Sequence, residues 1–89
     1  MQSAYFKIKG KVQGVFFRAR TKDKAEELGV KGWVRNTTDG DVEVMAQGSP
    51  GLLNQLEDWC RQGPSRAEVD SLERSELESE EFISFNILR

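Results

Sequence analysis

The chain opens on an alternation. From Tyr5 to Val12, Phe6, Ile8 and Val12 share one face with Gly10, while Lys7, Lys9 and Lys11 take the other. That two-residue period predicts a half-buried strand. The period then changes: Phe17, Thr21, Ala25 and Leu28 recur at helical spacing, and Gly29 stands where a left-handed C-terminal cap belongs. Val30 to Asn36 alternates again, with Val30, Gly32 and Val34 on one side. Asp39-Gly40 between two strand-like runs marks a hairpin, and Asp41 to Gln47 returns with Val42, Val44 and Ala46 on one face. A second helix follows, with Ser49 as N-cap and Pro50 at its first position. Its apolar stripe is read as Leu52, Leu56, Trp59 and Cys60, and Gly63-Pro64 ends it. Ala67 to Leu72 reads as a fourth strand and the glutamate-rich Glu73 to Glu81 as a solvated connection or strand end. Ile83, Phe85 and Ile87 read as a closing strand.

The order β-α-β-β-α-β, with an extra strand near the end, predicts an α+β fold of the ferredoxin-like kind. Two helices, each with one apolar stripe, should cover one face of an antiparallel sheet of four to five strands. The other face is left to solvent. Eighty-nine residues suffice for one domain, taken as 1–89. A hydrophobic share of 37% against 31% charged is globular rather than disordered. No stretch is long enough to span a bilayer, and Met1-Gln2-Ser3-Ala4 leads straight into charged alternation. The single cysteine, Cys60, rules out an internal disulfide framework and suits a reducing cytosol. A cytoplasmic monomer without a membrane partner is expected.

Charge changes the picture more than composition does. Residues 1–38 hold nine Lys or Arg against three Asp or Glu, whereas residues 39–89 hold four against twelve. The field therefore favours anionic ligands on the N-terminal half. The overall acidity weighs against a nucleic-acid footprint. With no histidine and one cysteine, zinc and haem sites of the usual kinds are excluded; carboxylate sites for magnesium stay open but show no spaced motif.

Within the basic half, Gly10-Lys11-Val12-Gln13-Gly14-Val15-Phe16-Phe17-Arg18 joins a strand end to a helix start. Backbone N–H groups at a helix N-terminus lack an internal partner and carry partial positive charge, which seats an anion. Gly14 lets the chain approach a ligand closely. Arg18 adds a planar fork of donors for two phosphate oxygens. The same residues also fit a plain glycine turn with a surface arginine. Farther on, Asn36 ends its strand and offers an amide donor and acceptor able to hold a water in one orientation. Taken alone, a turn-initiating asparagine beside the hairpin is the more ordinary reading.

Taken together, the two stretches are more specific. Gly10-x-Val12-Gln13-Gly14-Val15-x-Phe17-Arg18 and Gly32-Trp33-Val34-Arg35-Asn36-x-x-x-Gly40-x-Val42, then Gly48, resemble both signatures of the acylphosphatase family. The resemblance runs along essentially the whole chain. It implies hydrolysis of the carboxyl–phosphate bond of a small-molecule acyl phosphate, releasing carboxylate and inorganic phosphate, without metal or cofactor. Carried across, Gln13, Gly14, Val15, Phe16, Phe17 and Arg18 would bind the phosphoryl group through backbone N–H groups, Arg18 would pair with it, and Asn36 would orient the attacking water. Thr37 would support Asn36.

Three alternatives remain beside this reading. Cys60 and Arg66 have the cysteine–five residues–arginine spacing of cysteine-dependent phosphatases, but that chemistry needs the cysteine ahead of a helix rather than inside one. Lys31-Gly32-Trp33-Val34 faintly resembles an RNA-recognition strand, although such a platform needs two or three aromatics on the open sheet face. A silent anion sensor on the same scaffold would differ only in lacking turnover.

Overall fold

In the computed structural model, residues 2–88 are described. The elements follow as β1 (Gln2–Lys11), α1 (Phe17–Leu28), β2 (Lys31–Asn36), β3 (Val42–Gln47), α2 (Pro50–Gln62), β4 (Glu68–Glu78) and β5 (Phe85–Ile87). The strands form one sheet in the order β4-β1-β3-β2-β5, and both helices pack on the same face of it. The expected ferredoxin-like arrangement holds. The sheet is mixed rather than antiparallel, because β5 runs parallel to β2.

The inward faces are those the alternation marks. Phe6 and Ile8 of β1, Val34 of β2, and Val42, Val44 and Ala46 of β3 are fully buried against Phe17 and Ala25 of α1 and Leu53, Leu56 and Cys60 of α2. α1 ends at Gly29 in the left-handed conformation, with its N–H turned back to the carbonyls of Ala25 and Glu26. At Gly32 the close approach of β3 decides the residue: a Cβ there would lie 1.9 Å from the Met45 carbonyl oxygen. On the open face Tyr5, Met45 and Trp33 lie side by side across three strands. The Tyr5 hydroxyl donates to Glu43, and the Arg35 guanidinium sits 5.0 Å over the Trp33 ring. Burial, with the Glu43 carboxylate second, pushes the Tyr5 phenol up to about 12.

Four expectations need correction. β1 starts at Gln2, three residues early, because β4 offers it partners from Gln2 and β3 from Ser3. β4 runs on through the glutamates to Glu78, pairing with the whole length of β1. Its carboxylates stay in water while its backbone bonds, and Arg74 reaches over Phe6 to Glu57 on α2 at 2.8 Å. β5 is only Phe85–Ile87, and Ile83 is 88% exposed. The buried Gln47 amide holds the approach instead, donating to the Glu80 carbonyl and accepting from the Phe82 N–H. Finally, the α2 stripe is Leu53, Leu56 and Cys60, with Leu52 and Trp59 half-buried on its flanks. Leu52 and Leu53 both fall within helical reach of Leu56, so spacing alone does not separate them.

That correction is measurable. Leu53→Ala is expected to cost about 2–5 kcal/mol in urea unfolding, as for a closed core site, and Leu52→Ala clearly less. Equal losses would mean that the stripe is rotated from its position here.

Candidate active site

The site follows from strand direction. β3 lies between β1 and β2 and is antiparallel to both, so β1 and β2 run the same way. Val42 is level with Ile8 on one side and with Asn36 on the other. The loop leaving β1 and the amide ending β2 therefore emerge at one end of the sheet. β5, parallel to β2 with Ile87 opposite Val34, brings its last residue there too.

The loop alternates its side chains. Val15 and Phe17 turn into the core, where Phe17 meets Trp59 edge-on with ring centroids 5.8 Å apart. Phe16 between them points out and is 72% exposed. Gly14 has φ 73, with nothing within 4 Å of the position a Cβ would take. Phe16 has φ 64, a left-handed conformation that a bulky L-residue adopts only at a cost of order 1–3 kcal/mol. Together they swing the chain round so that α1 starts at Phe17. The first intrahelical bond runs from the Arg20 N–H to the Phe16 carbonyl at 3.0 Å, so the N–H groups of Phe17, Arg18 and Ala19 precede the helix's own acceptors. Among the described residues no side-chain cap bond closes this end, and no acidic residue lies in its first turn.

A cavity of about 490 Å³ opens over this helix start, lined by Val12, Gly14, Phe16, Phe17, Arg18, Ala19, Asn36 and Ile87. Arg18 and Asn36 thus share one wall-to-wall space. Arg18 makes no ion pair or hydrogen bond among the described residues. Asn36 Oδ1 is buried and has no hydrogen-bond partner among them. An acceptor so placed costs about 1–3 kcal/mol unless something donates to it. The arrangement suits an anion held by amides and a guanidinium, beside a carbonyl oxygen able to take a proton donor.

The family model for acylphosphatase matches residues 4–87. An acylphosphatase of Marinobacter nauticus is 52% identical over 79 residues, covering 88% of this chain and 86% of that one. Among solved structures, an acylphosphatase from Coxiella burnetii superposes with a TM-score of 0.94 at 38% identity, over 98% of this chain and 92% of that one. One from Bacillus subtilis gives 0.95 at 30% identity over the full length of both. The chain belongs to the acylphosphatase family. It is a hydrolase acting on acyl phosphates.

Set against that family, the positions singled out in the sequence divide by what their side chains do. Gln13 does not turn its amide to the cavity: Nε2 donates to the carbonyls of Thr37 and Asp41, each at 2.8 Å. It ties the loop after β1 to the hairpin after β2. Thr37 also serves the hairpin, accepting the Asp41 N–H at 3.0 Å and donating to Asp39. Ile87, Val12 and Ala19 line the cavity and were missed as site residues. Ile87 gave no signal, because its place depends on the parallel pairing of β5. Cys60 lies in the middle of the core on α2, where burial pushes its thiol well above the ordinary range. The reactive form of a cysteine is the thiolate, so this one is inert.

Gln13 offers a test of the tie. Its two bonds are together worth about 1–3 kcal/mol. Gln13→Ala is expected to lower acyl phosphate turnover about tenfold or more, with a loss of stability of that size in urea unfolding. An unchanged rate would show that the loop finds its place without the hairpin.

Proposed function

We propose that the enzyme cleaves its acyl phosphate by direct attack of one oriented water on phosphorus, without metal or cofactor. The backbone N–H groups of the Gln13–Arg18 loop and the Arg18 guanidinium hold the phosphoryl oxygens. Asn36 accepts a hydrogen bond from the water and aims its oxygen along the line of the departing bond. The new P–O bond forms as the bond to the acyl oxygen breaks. The electron pair leaves with the carboxylate, and the water's proton passes to a phosphoryl oxygen or to solvent. The products are the carboxylate and inorganic phosphate.

The observation that carries this reading is the buried, unpartnered Asn36 Oδ1 in the same cavity as Arg18 and the uncapped start of α1. The leaving group explains why so little machinery is needed. A phosphatase acting on alkyl esters must expel an alkoxide, usually with a general acid or a metal. Here the departing carboxylate has a conjugate acid of pKa ~4, so no proton need be supplied. A chain without histidine is therefore no handicap. Phosphoryl transfer then asks mainly for position and for charge stabilisation. In the same proposal the protein works as a cytoplasmic monomer of one domain, with no nucleic-acid or membrane partner. The acidic balance of residues 39–89 supports that, since it repels polyanions.

Arg18 and Asn36 should separate cleanly in kinetics. Arg18→Ala is expected to cost roughly 3–4 kcal/mol in the transition state, a hundredfold or more in rate, and to weaken competitive inhibition by phosphate. Asn36→Ala is expected to lose turnover while phosphate still inhibits at near-native concentration. Chelator should leave the native rate unchanged. Near-native turnover by Asn36→Ala would remove the water-orienting role.

A further inference from the structure

The cavity is larger than its polar end requires. At about 490 Å³ it falls within the range of roughly 300–1,000 Å³ typical of sites that enclose whole organic ligands. Arg18 and Asn36, with the helix N–H groups, account for the phosphoryl group. The remaining lining carries no polar side chain: Val12, Gly14, Phe16, Phe17, Ala19 and Ile87. Arg18 is the one charged side chain among the lining residues.

Phe16 stands out within that apolar wall. The residue is 72% exposed and belongs neither to the core nor to the aromatic pair formed by Phe17 and Trp59. Its backbone sits at φ 64, where glycine would rest without strain. The fold gains nothing visible from a large aromatic residue at this position. The ring stands at the cavity, directly ahead of the residues that start α1, so a substrate whose phosphoryl group lies on those N–H groups extends its acyl group past it.

We infer that Phe16, with Ile87, forms an acyl-group subsite that selects uncharged apolar acyl phosphates, aromatic or branched, over small or carboxylate-bearing ones. This deepens the catalytic reading above and rests on it. The physical basis is simple. An apolar acyl group covers the exposed ring and removes apolar surface of both partners from water. An acyl group carrying a second carboxylate would have to leave water for a wall with no free cation, Arg18 being engaged by the phosphoryl oxygens. A methyl group offers the ring too little surface to matter.

The test compares benzoyl, acetyl and succinyl phosphate as substrates of the native enzyme and of Phe16→Ala and Phe16→Leu. The quantity to read is the ratio of kcat/KM between substrates. Any general disturbance of the loop by substitution acts on the shared phosphoryl end and cancels in that ratio. The intrinsic reactivity of each anhydride is common to native and variant enzymes and cancels between them. The native order is expected to be benzoyl above acetyl, with succinyl no better than acetyl. Phe16→Ala should lower the benzoyl-to-acetyl ratio about tenfold, and Phe16→Leu should recover part of it. A ratio unmoved by Phe16→Ala, or a native preference for succinyl phosphate, would overturn the subsite while leaving the catalytic reading intact. Hydrolysis of none of the three by the native enzyme would overturn both.

Discussion

The central strand β3 is the constraint from which the function follows. Because it pairs antiparallel with β1 on one side and with β2 on the other, two segments distant in sequence are forced to finish at the same end of the sheet. One brings the loop that becomes the start of α1, and the other brings Asn36. Neither stretch is a site alone. A glycine loop before a helix is an anion seat of no particular chemistry, and an asparagine beside a hairpin is ordinary. Across β3 they come to line one cavity, and in the proposed mechanism that is what lets a water be aimed at a bound anion.

What remains is to hold the two halves rigidly enough for the geometry to matter. Val15 and Phe17 anchor the loop from within, and Gln13 fastens it laterally to the carbonyls of Thr37 and Asp41. The loop's left-handed turns at Gly14 and Phe16 are thereby imposed by the surrounding structure rather than chosen locally. Strain of this kind persists only where neighbours over-determine it. The result leaves amide N–H groups, a guanidinium and a carbonyl oxygen uncommitted in one cavity, which is a preorganised electrostatic site rather than a set of proton-transferring groups. Such a site suits a substrate whose leaving group departs readily, and an acyl phosphate, which releases a carboxylate, is one.

Much of this was legible in the sequence. The alternation through Phe6 and Ile8, the helical recurrence of Phe17, Thr21 and Ala25, and the Asp39-Gly40 turn all report local periods that the fold keeps. So the loop, Arg18 and Asn36 could be placed on their elements in advance. The failures share one cause: they concern partners rather than periods. β4 is a strand to Glu78 because β1 has a free edge for it, and nothing in the side chains of Glu73, Ser75 or Glu78 says so. β5 pairs parallel with only Gly32–Val34 of β2, and nothing in its own side chains sets that direction or length. The true targets of Gln13 and the presence of Ile87 in the cavity depend on the same long-range pairings. Leu53 was lost to Leu52 for the smaller reason that both fall within one helical turn of Leu56.

The core of the account is that a water held by Asn36 attacks phosphorus and that the carboxylate departs unaided. Hydrolysis of a simple acyl phosphate in water enriched in heavy oxygen tests this most directly. Mass analysis of the products from the native enzyme should find the label in inorganic phosphate and none in the carboxylate. Label in the carboxylate would mean attack at the acyl carbon, and the assignment of Arg18 and Asn36 around a phosphoryl centre would be wrong.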